Sequence, residues 1–176
     1  MAPEIDINVT APAWETLGDL DALARRAVRA SLEISGARLA PVCELSVTFC
    51  DDAEIRALNA QWRAQDKPTN VLSFPTPGKL AQRPLLGDIV IAYETVAREA
   101  GEQGKTLADH TAHMIIHGFL HLIGYDHESL DEAEAMEALE RRVARALGMS
   151  DPYADTQPIG AAAGPAGFSR GYVDEN

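Results

Sequence analysis

No stretch of this 176-residue chain approaches the roughly 20 consecutive apolar residues that cross a bilayer, so no membrane partner is expected. Its first residues, MAPEIDINVT, carry acids and no basic segment, and do not read as a secretory leader. Cysteine is scarce. Cys43 and Cys50 lie in or beside one apolar run without CxxC spacing, which argues against a disulfide framework. Two buried free thiols in a reducing cytoplasm are the expectation. Positive charge is also short, the formal net charge being −12, so DNA is not an expected partner and any nucleic acid would need a local cationic patch. The distribution permits one. Residues 1–21 hold five acids and no Lys or Arg, and residues 128–140 hold six acids. Residues 53–106 instead carry seven basic against six acidic side chains, with Arg56, Arg63, Lys67, Lys79 and Arg83 leading the block.

What is present is an ordinary globular pattern, with an apolar fraction of 46% and no internal repeat. Alternation predicts strands at residues 4–9 and 43–50, and two more at 70–74 and 87–93. Helical spacing runs through Leu20, Leu23, Ala24, Ala27, Val28 and Leu32, predicting a helix over 17–34. Asp51-x-x-Glu54 and Ser129-x-x-Glu132 have the form of capping pairs; the first opens a helix that stops before Pro68. The second opens a helix with Met136, Leu139, Val143 and Leu147 inside, closed by Gly148. Further helices are expected over 94–103 and 106–123. The fold class is therefore α+β: a single domain over 1–150, with a small mixed sheet packed by helices. Residues 151–176, with three prolines and repeated Gly and Ala, read as a disordered tail.

All five histidines fall between His110 and His127. At 100° per residue, His110, His113, His117 and His121 share one arc of about 80° on a helix. A solvated face gives histidines no reason to cluster, and neutral rings in a core need partners for both nitrogens. Metal binding supplies the reason. Side chains at i and i+4 can aim two imidazoles at one cation, and a positive φ at Gly124 would turn the chain so that His127 becomes a third ligand. The pattern His117-x3-His121-x2-Gly124-x2-His127 matches the metzincin zinc proteases in its three histidines and glycine. One Zn²⁺ is the expected ion, although Ni²⁺, Co²⁺ or Cu²⁺ also suit three imidazoles. His110 and His113 are expected behind the ligands or in packing.

The protease pattern fails at one place. Gly118 stands where those enzymes put the glutamate that serves as general base, worth about 10²–10⁴-fold. A metalloprotease remains the alternative that the histidine spacing alone suggests.

The segment His117-Gly118-Phe119-Leu120-His121-Leu122-Ile123-Gly124-Tyr125-Asp126-His127 resembles the H-G-x-L-H-L-x-G-Y-D-H signature of the bacterial YbeY family. NAQWRAQDKPTNVLSFP, residues 59–75, and LGDIVI, residues 86–91, look like two further blocks of that family, and the likeness extends over about 5–148. Asn70 departs from it, standing where the family usually has Asp. The resemblance implies a zinc-dependent endoribonuclease selective for single-stranded RNA, acting in rRNA maturation, including the 3′ end of small-subunit rRNA, and in ribosome quality control. It implies His117, His121 and His127 as zinc ligands and Arg63 as the functional arginine. Asp88 matches the family's G-D-I aspartate and is a candidate, with His113, to orient a ligand. Small-subunit particles and their proteins are the implied partners, and a ribosome-assembly factor whose zinc site is structural or weakly catalytic is the third reading. The site on the 106–123 helix would be metzincin-like.

Overall fold

Polar–apolar alternation in four short segments is satisfied by one mixed sheet. The structure, a computed structural model, describes residues 2–154. Strands β1 (Glu4–Val9), β2 (Glu44–Cys50), β3 (Val71–Pro75) and β4 (Leu85–Ala92) lie in the order β1-β2-β4-β3. β1 and β4 each pair with β2 in parallel, and β3 closes one edge antiparallel to β4. Helices α1 (Leu20–Ser35), α2 (Asp52–Arg63), α3 (Tyr93–Gln103), α4 (Leu107–Leu122) and α5 (Leu130–Ala146) complete the domain. The α+β architecture and mixed sheet are as expected.

Local chemistry sets the helix ends. α1 begins at Leu20, later than the periodicity suggests, because the Asp19 carboxylate caps the Ala22 N–H at 2.9 Å. Residues Pro12–Leu17 form a separate 3₁₀ turn that buries Trp14, whose indole N–H donates to the Cys50 carbonyl at 2.8 Å. At α2 the Asp51 carboxylate accepts from the Glu54 N–H, but the capping box stays half-made: Glu54 accepts from the Thr10 hydroxyl instead. The box at Ser129 and Glu132 is complete.

One sheet face carries the main core, where Leu45, Val47, Phe49, Ile89 and Ile91 meet Val28, Ile115, Phe119 and Val143 from the helices. The opposite face packs Cys50, Leu72, Val90 and Ala92 against Ile55 of α2. Both cysteines are buried free thiols, and burial pushes the Cys50 thiol up to about 12. α4 runs through the middle, with twelve buried residues from His110 to Leu122. A helix surrounded by protein on all sides fixes its side chains by packing rather than by solvent contact.

The chain does not leave the fold at Gly148. Asp151 accepts from the Tyr153 N–H at 2.8 Å, and the turn buries Tyr153 against the core. The remainder of the segment read as a tail, 155–176, lies outside the described residues. Among the described residues no helix is long and apolar enough to cross a membrane.

Candidate metal centre

α4 carries His117 and His121 one turn apart, and their Nε2 atoms approach to 3.1 Å. Gly124, at φ 111°, ends the helix and turns the chain. The Tyr125 N–H donates to the Leu120 carbonyl at 3.0 Å, and the Asp126 carboxylate accepts from the His127 N–H at 2.8 Å. The returning segment sets the His127 ring 5.3 Å from His121 and 6.3 Å from His117, centroid to centroid. One ring nitrogen from each of the three lies within 4.8 Å of the others.

These residues fit a metal ion. A tetrahedral ion with Zn–N bonds of about 2.0–2.1 Å needs nitrogens about 3.3 Å apart, close to the His117–His121 spacing. His127 Nε2 is buried and has no hydrogen-bond partner among the described residues, the condition of a donor atom awaiting a cation. Burial first, and then the neighbouring His117 and His127, pushes His121 down to about 3, with a Tyr125 backbone hydrogen bond and Glu140 pulling the other way. His121 is therefore neutral, as a ligand must be.

Behind the triad lies a carboxylate that sequence reasoning missed. Glu140 of α5, 1% exposed, accepts from His117 Nδ1 at 2.9 Å and His113 Nε2 at 2.7 Å through one oxygen. Its other oxygen accepts from the Tyr153 hydroxyl at 2.9 Å. Burial acts to raise the Glu140 pKa, but His117 and the two histidine hydrogen bonds outweigh it and hold the group well below the usual carboxylate range. Burial likewise drives His113 down to about 4 against the pull of Glu140. An ionised Glu140 takes the His117 Nδ1 hydrogen bond and so turns the Nε2 edge of that ring toward the cradle. His113 is thus joined to His117 through Glu140.

Asp88 is a correction. It is exposed on β4 and accepts from the Ser46 hydroxyl on the neighbouring strand. The two-residue period of the strand turns Ile89 toward α4 and Asp88 to the other face, away from every histidine. Asn70 is fully buried, its amide donating to Glu99 at 2.9 Å, and Glu99 also contacts His110 Nε2 at 2.9 Å.

Beside the histidines opens a cleft of about 350 Å³ whose lining includes Arg63, Ser73, Arg83, His117, His121 and Asp126. Arg63, at the C-terminal end of α2, reaches around the edge strand: its Nη2 donates to the Ser73 carbonyl at 3.1 Å. The structure thus brings Arg63 to the histidines. Arg83 is buried, donating to the Thr76 carbonyl and, at 2.9 Å, to the Leu122 carbonyl, so it ties the end of α4 to the β3–β4 connection.

Gly118 points away from the cradle. A Cβ there would sit 2.8 Å from Ile89 Cγ2 and 3.2 Å from the Ser73 hydroxyl, so the sheet leaves no room for a longer side chain. The glycine is a close-packing residue between α4 and β3–β4.

Fold and centre together define a small α+β protein with a helix-borne three-histidine cradle opening on a cationic cleft. The family model described as Endoribonuclease YbeY matches residues 12–148, and the chain belongs to that family. It is similar to Endoribonuclease YbeY of Methylocella silvestris, 59% identical over 153 residues that cover 87% of each chain. It is also similar to that of Rhodopseudomonas palustris, 49% identical over 87% of this chain and 91% of the relative. A Thermotoga maritima protein of known solution structure aligns over 88% of this chain and 97% of its own, with a TM-score of 0.53 and 28% identity.

Proposed function

We propose that this chain is a zinc-dependent endoribonuclease that cuts single-stranded RNA during rRNA maturation in the cytoplasm, working on small-subunit particles. The observation that carries the reading is the convergence of three histidine nitrogens beside a cleft that also contains the Arg63 guanidinium. His117, His121 and His127 would hold the ion, three neutral nitrogens leaving a fourth position open. When bound, Zn²⁺ supplies Lewis-acid polarisation of a phosphoryl oxygen and acidification of water.

The protein's own residues do the rest. Glu140 accepts from His117 Nδ1 and so holds the ring with its Nε2 edge toward the ligand position. Arg63 would set its guanidinium charge against a phosphodiester in the cleft and stabilise charge that grows on its oxygens as the bond breaks. The Ser73 carbonyl keeps that guanidinium at the cleft. No carboxylate extends from position 118, so the proton acceptor that a protease of this spacing uses is missing, and the packing of Gly118 against Ile89 explains why.

The test is cleavage of single-stranded RNA by the purified chain, with chelator, and with His121→Ala and Arg63→Ala purified in parallel. Cleavage should be lost with chelator, return with Zn²⁺ and be absent from His121→Ala. Arg63→Ala should keep its zinc and lose cleavage. Equal cleavage by all three proteins, or none by any, would transfer the reading to a non-catalytic assembly factor.

A further inference from the structure

Trp62 is a large apolar side chain left 64% exposed in an otherwise acidic protein. It sits in the last turn of α2, one residue before Arg63. Its ring meets Phe74 edge-on, with centroids 6.4 Å apart and planes at 65°, and the Arg63 guanidinium carbon lies 5.7 Å from the same Phe74 ring. Trp62, Phe74 and Arg63 thus form one contiguous aromatic–cationic strip that begins in the metal cleft and passes over the free edge of β3. The exposed Lys67 follows in the next turn of chain.

We propose that Trp62, steadied by Phe74, is a stacking platform for an unpaired RNA base adjacent to the phosphodiester held at Arg63. The proposal rests on the ribonuclease reading above and adds how the strand is chosen. A base in a duplex already has both faces stacked, whereas an unpaired base can lay one face on the indole. Phe74 fixes the indole plane beforehand, so little side-chain freedom is lost on binding. Charge sets the direction of the strand's path. Phosphates follow Arg63 and Lys67, while the exposed acids Glu128, Asp131, Glu132 and Glu134 repel them on the far side of the histidines.

The chain has two tryptophans, Trp14 fully buried and Trp62 exposed, so a change in emission on adding RNA reports Trp62 directly. The zinc-loaded full chain would be titrated with a short 2′-O-methyl phosphorothioate oligomer, following fluorescence and, separately, heat of binding. An oligomer of equal length with abasic sites and a duplex of the same sequence serve as comparisons. Stacking predicts quenching by the base-bearing strand alone and affinity roughly tenfold or more weaker for Trp62→Ala, with Trp62→Phe between. The abasic strand should bind wild type and Trp62→Ala alike, and Trp62→Ala should lose part of the preference for single strand over duplex. Binding with unchanged emission and an equally tight Trp62→Ala would overturn the platform while leaving the ribonuclease reading intact. If the metal-loaded protein binds no single-stranded RNA at all, both fall together.

Discussion

Replacing Glu140 tests the centre at the point the histidine pattern does not reveal. In the folded chain its carboxylate accepts from His113, His117 and Tyr153 with 1% exposure. Glu140→Ala removes the two oxygens that accept all three hydrogen bonds and leaves buried donors behind. Each orphaned group costs about 1–3 kcal/mol, and loss of one partner from a buried charged network typically costs about 3–5 kcal/mol, so the total should fall in that upper range. Glu140→Gln is the more informative change. Its amide oxygen can still face the two histidines and its NH₂ can donate to the Tyr153 oxygen, so the shape survives and only the charge goes. We expect about 1–2 kcal/mol of lost stability and roughly 10–100-fold weaker zinc binding, because His117 loses the anion that holds its tautomer and strengthens its lone pair. Urea unfolding of the metal-free protein reads the first quantity, and competition with a chromophoric zinc chelator reads the second. A Glu140→Gln protein that binds zinc as tightly as wild type would refute the orienting role and leave Glu140 as core packing.

Three other perturbations follow from the same geometry. His113 is depressed from 6.5 to about 4, so the unfolded chain binds a proton in that window that the folded chain refuses. Its contribution is complete above pH 6.5 and is lost as pH falls toward 4, by about 3 kcal/mol; a urea midpoint of metal-free protein that stays flat across this range would contradict it. Gly118→Ala should cost about 1–3 kcal/mol by driving a methyl into Ile89, and Gly118→Glu should unfold the chain rather than confer proteolysis, as circular dichroism and a casein assay would show. Asn70→Asp sets a carboxylate against Glu99 in place of a donor; a loss of about 1–3 kcal/mol is expected at neutral pH and should shrink on acidification as the pair shares a proton, whereas a pH-independent midpoint difference would point to packing.

The three-histidine cradle was legible because every part of it is local. The i, i+4 spacing puts two rings on one helix face, and Gly124 supplies the turn that returns the third. Glu140 was harder to see because it reaches the centre from another helix. A signal existed all the same. Residues 136, 139 and 143 form the buried stripe of α5, and 140 falls on that stripe, so a charge there had to find partners inside. Asp88 misled because motif position says nothing about which face of a strand a residue takes. Its phase with Val90, against Ile89 and Ile91, places it outside. The 3₁₀ turn at Trp14 and the return of Tyr153 depend on hydrogen bonds and ring contacts with residues distant in sequence, which periodicity does not encode.

Tyr153 lends the centre a timing. A growing chain synthesised only as far as His127 would possess all three candidate ligands, yet lack the anion on α5 and the phenol that caps it. Both arrive in the last stretch of the described domain to be made. A nascent chain of that length therefore holds the three histidines without the Glu140 and Tyr153 hydrogen bonds that brace His117 in the folded domain.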